Sequence, residues 1–145
     1  KLSEESISIA SGLSKLLIEQ GVSVSIYSNG CDYKTEKNIK IMSDCGIAQF
    51  NAINTALARI DLDKPMPEFS KFMLEVMADI ASDNTGSSAG LLYIIISAGG
   101  RKEFQLSIND ITRSSDAMWI LPFHMGMDTG LQYCNVPVTE WEVDY

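Results

Sequence analysis

What the chain has little of narrows it first. In 145 residues there are one histidine and three cysteines. Cys31, Cys45 and Cys134 form no C-x-x-C pair and have no histidine at zinc-ligand spacing. That excludes the common structural zinc motifs and leaves reduced thiols, the ordinary state in a cytosolic compartment. Basic residues are scarce too, 11 against 19 acidic, for a net charge of -8. A phosphate backbone or an anionic lipid surface would be repelled, so nucleic acid is not an expected partner. Apolar runs are short. Residues 91–96 form the longest, far below the length that spans a bilayer, so no membrane segment is expected in this chain. The sequence opens at "KLSEES" without methionine. It reads as a fragment, and an anchor on the parent protein is left open.

What is present is a folding composition. Apolar residues make up 46%, and the length suits one domain over residues 1–145 with a core of its own. Ser3, Glu4 and Glu5 mark a helix start, with Ile7, Ala10, Leu13 and Leu17 on one face and Gly21 ending it. "VSVSIYS" then alternates as a strand, and Asn29-Gly30 is predicted to turn the chain. The polar stretch 31–44 offers at most a short strand over 39–42. Phe50, Ile53, Leu57 and Ile60 stripe a second helix, which "DLDKPMPE" breaks. A third helix carries Phe69, Phe72, Met73, Val76 and Ile80 inward. "LLYIIIS" reads as a buried strand and 103–114 as a helix facing in through Phe104, Ile108 and Ile111. "AMWILPF" is a buried strand ending at Pro122, and "VTEWEV" an edge strand with a charged face. Alternating helices and strands predict an α/β fold around a mostly parallel sheet.

Motifs for chemistry are few. "GSSAG", residues 86–90, fits G-x-S-x-G, and Ser88, Asp116 and His124 follow the order of an α/β-hydrolase triad. The mechanics oppose it: a nucleophile elbow needs a strand before the serine and a helix after it, and here that order is reversed. Serine hydrolysis through Ser88 is therefore the least favoured reading. His124 and Asp128 have the spacing of two metal ligands but no third to complete the set. Methionines such as Met73 and Met77 lie at core spacing, and no phosphate-binding glycine motif occurs. There remains "SAGG", residues 97–100, at the end of the most apolar strand. It serves either as a plain strand-to-helix turn or as a ligand-binding crest. Lacking an acid, it is no strong site for a hard cation by itself.

Three segments taken together carry a family resemblance. "EESISIASGLSKLLIEQGVSVSIYSNG", "FNAINTALARID" and "LLYIIIS" resemble, in that order, the C-terminal part of the bacterial domain-of-unknown-function 58 family, a von Willebrand factor A-type domain. The resemblance covers roughly residues 4–125. It implies a three-layer Rossmann-like sandwich whose first, central strand precedes this chain. It implies a parent protein often membrane-anchored at its N-terminal side, with this domain in the cytoplasm, and adaptor or assembly work beside a MoxR-type AAA+ ATPase. In metal-binding relatives a cation sits on the sheet crest, held by an Asp-x-Ser-x-Ser loop, a threonine and an aspartate. Here that loop is not encoded, "SDCGIAQF" (43–50) has no threonine, and Ala98 occupies the aspartate's position.

The expectation is thus a non-catalytic protein-interaction module with a degenerate metal site, binding no cofactor. Its crest candidates are Asn29, Ser97, Ala98 and Gly99. The runner-up is a divalent-metal-dependent module, weakly binding magnesium once the full-length protein supplies the missing loop. With the central strand absent, two inner strand edges would lack partners, and rearrangement, a foreign neighbour or dimerisation of the fragment would compensate.

Overall fold

The structure is a computed structural model, and it describes residues 1–82, 91–111, 113 and 116–144. Among the described residues the chain is mixed α/β, with four helices and two three-stranded sheets. Two compact units are distinguished, Ile7–Phe72 and Lys1–Ser6 with Met73–Tyr145.

In the unit Ile7–Phe72 the sheet is antiparallel. Its strands are β1 (Val24–Asp32), β2 (Asn38–Asp44) and the short β3 (Ile60–Asp61), in the order β2-β1-β3. Helix α1 (Leu2–Glu19) leads into it. Gly21, at φ 77°, closes α1: its N–H reaches Ile18 O while Val22 N–H reaches Leu17 O. This is the two-bond C-terminal motif that a left-handed glycine makes possible, as expected from the sequence. Helix α2 (Ile47–Ala58) buries Gln49, Ile53 and Leu57 at four-residue spacing. Gln49 Nε2 donates to both Val24 O and Met42 O at 2.8 Å, satisfying carbonyls on the two paired strands.

The turn expected at Asn29-Gly30 is not there. β1 runs through both residues, and the pairing register slips between Ser28 and Cys31 instead. The Asn-Gly pair forms a bulge inside a strand. Gly30 N–H donates to Ser28 Oγ, and a Cβ on Gly30 would stand 2.7 Å from Ile60 Cγ2, so a small residue is needed where β3 crosses. The reversal comes later. Asp32, buried, accepts from Lys34 N–H and Thr35 N–H, and Glu36 adopts a positive φ. So short a connection permits only antiparallel pairing, which is why parallel order does not extend to this sheet. β2 is correspondingly longer than the stretch 39–42, and α2 stops before Ile60, which joins β3.

The other unit holds the parallel sheet β4-β5-β6, with β4 at Leu92–Ile96, β5 at Asp116–His124 and β6 at Val138–Val143. The β5 strand is central and almost wholly buried from Ala117 to Pro122; it runs two residues past the expected end at Pro122. Helix α3 (Phe69–Ser82) spans the boundary between the units and buries Phe72, Met73 and Val76. Helix α4 (Lys102–Ile111) connects β4 to β5, the crossover that parallel neighbours require. It buries Phe104, Gln105, Ile108 and Ile111, and Phe104 meets Trp119 edge-on with centroids 5.2 Å apart. β6 lies at an edge with Glu140, Trp141 and Glu142 exposed. No helix among the described residues is long and apolar enough to cross a membrane.

Candidate functional site

The site to examine is the β4–α4 connection, because ligands in parallel sheets gather beyond strand C-termini. Three of the four crest candidates, Ser97, Ala98 and Gly99, are consecutive there, and Gly99 is exposed. Ser97 Oγ accepts from Gly99 N–H at 3.3 Å, a local turn bond. Ser97 N–H donates to Ile120 O, and Ser97 O accepts from the indole of buried Trp119 at 2.9 Å. The loop is thus anchored to β5 by one backbone and one side-chain bond. Asn29 belongs to the other unit, inside β1, where its Nδ2 donates to Pro67 O at 2.9 Å and ties the proline linker down.

Behind the loop lies a polar clamp that sequence reading missed. Gln105 is fully buried, at 0% exposure, and all its functional atoms are used. Its Nε2 donates to Gly100 O at 2.8 Å and to Gly130 O at 2.6 Å, while its Oε1 accepts from Tyr133 N–H at 2.9 Å. One turn on, Asn109 donates to Tyr133 O and accepts from Asn135 N–H. Two amide side chains on one face of α4 therefore read the backbone of residues 130–135 as a neighbouring strand would. Lys102 sits 4.8 Å from the Tyr133 ring and adds a cation–π contact. Gly100 fits tightly: a Cβ there would lie 2.4 Å from Thr129 O. The only advance signal was the i, i+4 spacing of Gln105 and Asn109, which is unremarkable on a surface helix.

The remaining candidates are placed as follows. His124 ends β5, half-buried. Asp128 accepts from Gly130 N–H, and Thr129 donates to Glu140 Oε1 at 3.0 Å. Ser88 and the whole of "GSSAG" lie outside the described residues. Cys31 and Cys134 are half-buried and Cys45 exposed, and none is in a disulfide. Among the described residues no three His, Cys, Asp or Glu side chains converge to hold a metal. The crest donors do not fit the cation that the resemblance implies. Ala98 brings no ligand atom, and the Ser97 hydroxyl and carbonyl are both already engaged.

Comparison with protein-family models, with curated proteins and with solved structures gives no match in any of the three.

Proposed function

We propose that this chain is a non-catalytic protein-interaction module of the von Willebrand A type, in the manner of the domain-of-unknown-function 58 family, with a degenerate metal site. Part of the strand pairing supports this reading. β1 pairs antiparallel with β2, and β4-β5-β6 is parallel; β3, which takes the other edge of β1 at Cys31 and Asp32, is extra to that pattern. That pairing pattern carries the reading. The three-layer sandwich is the finer form of the same proposal.

The contact surface in this reading is the loop of Ser97, Ala98 and Gly99, short, uncharged and held from below by Trp119 and Gln105. Its partner is a MoxR-type AAA+ ATPase in the cytoplasm. The test is a cross-linked pull-down with this chain as bait, read by mass spectrometry. Recovery of such an ATPase, with cross-links at residues 97–101, supports the proposal. Equal recovery by a Ser97→Glu, Gly99→Glu variant, or no recovery, overturns it. Titration with magnesium or manganese checks the degenerate site: no saturable binding is expected, and binding at low micromolar metal would overturn that part.

A further inference from the structure

We infer that the free edge of β4 pairs antiparallel with the same edge of a second copy of this chain, on a two-fold axis through Ile94. The inference does not rest on the family reading, which gives the same edge to a withheld strand; it concerns the 145-residue chain by itself. It starts from the direction of the backbone groups.

Ser97 N–H donates to Ile120 O, which fixes the alternation along β4. Tyr93 and Ile95, four and two residues before Ser97, present their N–H and C=O to β5. Leu92, Ile94 and Ile96 present theirs the other way. Among the described residues no strand pairs with β4 on that side, because β4 ends the order β4-β5-β6. A row of unpaired donors and acceptors on an apolar strand is a template for another strand.

Of the four sheet edges, β3 is only two residues long and ends in Asp61; the other three differ in what they would place opposite a copy of themselves. The β6 edge carries exposed Glu140 and Glu142, and the β2 edge carries exposed Lys40 and Asp44. Self-pairing at either sets charged side chains against the partner strand, the usual protection of a natural edge. The β4 edge has no charge from Leu91 to Ile96, although the chain carries a net -8. Leu91 and Leu92 are 41% and 55% exposed there. A charged partner strand finds nothing to complement, whereas a second copy meets aliphatic with aliphatic.

The register follows from symmetry. With the axis at Ile94, Leu92 faces Ile96 of the second copy, Ile94 faces Ile94, and Ile96 faces Leu92. These are the outward-facing residues, so each pair exchanges both of its backbone hydrogen bonds. No outward donor or acceptor between Leu92 and Ile96 is left over. Between these pairs Tyr93 lies opposite Ile95, an aromatic–β-branched pair of the kind that stabilises sheets. The two parallel sheets become one sheet, continuous through the axis.

The test uses the purified 145-residue chain alone, so that failure of the ATPase pull-down leaves it untouched. Sedimentation across roughly 1–100 µM should show a concentration-dependent dimer. Ile94→Pro removes the central outward N–H from both copies at an edge position where proline is tolerated, and should weaken the dimer roughly a hundredfold. Ile94→Lys should weaken it at least comparably, and serves if the proline variant loses its circular dichroism signature. Glu142→Lys, on the β6 edge, should leave it unchanged. Register is read by oxidation in a background with Cys31, Cys45 and Cys134 replaced by serine. Ile94→Cys should cross-link across the axis, where Cα atoms of a hydrogen-bonded pair stand about 5.5 Å apart, and Leu92→Cys should not. A monomer at every concentration, a dimer insensitive to both Ile94 substitutions, or cross-linking through Leu92→Cys rather than Ile94→Cys would overturn the inference.

Discussion

The indole N–H of Trp119 donates to the carbonyl oxygen of Ser97 at 2.9 Å, and it stands in for a donor that β5 lacks. In the β4–β5 ladder the next group to bond Ser97 O would be the amide of residue 122, three residues beyond Trp119. That residue is Pro122, which has no N–H. Proline is rare in a central strand for this reason. Here its bare nitrogen falls where β4 has already ended, at Ile96, and the indole covers the deficit. The pair makes a mutational cycle informative.

Trp119→Phe should destabilise the fold by about 2–4 kcal/mol, from the lost volume in a fully packed site and the orphaned carbonyl. Pro122→Ala in that background returns an N–H to the ladder. Chemical denaturation should therefore show Pro122→Ala less harmful, or even helpful, beside Trp119→Phe than in the wild-type chain. Strict additivity of the two changes would show that the indole does not substitute for the missing amide.

Two glycines are small for different reasons, and alanine should separate them. At Gly100 an added Cβ meets the backbone oxygen of Thr129 at 2.4 Å; at Gly30 it meets the movable side chain of Ile60 at 2.7 Å. Gly100→Ala should cost about 2–3 kcal/mol and Gly30→Ala clearly less, since a side chain yields where backbone does not. Equal losses in the urea midpoint would contradict this.

Gln105→Leu keeps the side chain's bulk and removes its hydrogen bonds to Gly100, Gly130 and Tyr133. The expected loss is about 3 kcal/mol, because the abandoned backbone groups are near a buried site. Hydrogen exchange gives the specific readout: the Tyr133 amide should lose protection well before amides of β5. Unchanged protection at Tyr133 would mean that the clamp does not hold the loop.

Tyr93 supplies a pH dependence. Burial pushes its phenol above the usual tyrosine range. Between the unfolded value, about 10, and the raised folded value, the folded state keeps a proton that the unfolded state has lost. The contribution is complete below that window and declines as pH rises through it. The wild-type chain should therefore lose denaturant resistance above about pH 10 more steeply than Tyr93→Phe. Parallel curves for the two proteins would refute the shift.

The inward faces of α2 and α4 were legible because burial periodicity is written in single residues, whereas α1 buries Ile9 and Ser14 rather than the expected Ile7, Ala10, Leu13 and Leu17. Ile53 and Leu57, or Phe104, Ile108 and Ile111, are apolar at helical spacing and are buried as expected. So was the close of α1 at Gly21, a local motif needing only its own turn. Asn29-Gly30 was misread because the dipeptide suits a turn and a bulge equally. What chose between them was β3, some thirty residues on, approaching Gly30. The clamp on α4 was invisible for a similar reason. Gln105 and Asn109 look like solvated polar positions until residues 130–135 arrive beside them, and nothing local announces that meeting.

The same clamp decides where the chain can be cut open and extended. Lys34 and Thr35 are exposed at a hairpin tip where both amides bond the nearby Asp32 carboxylate, whereas Tyr33 N–H reaches Arg59 O and Glu36 pairs with Lys64, so a tag or a graft spliced between Lys34 and Thr35 disturbs little beyond itself. The stretch 130–135 has the glycine and asparagine of an ordinary surface loop, but its peptide groups are held by a helix more than twenty residues upstream. An insertion at that point would unlatch α4 and β6 together, so a label meant to be silent belongs at the hairpin.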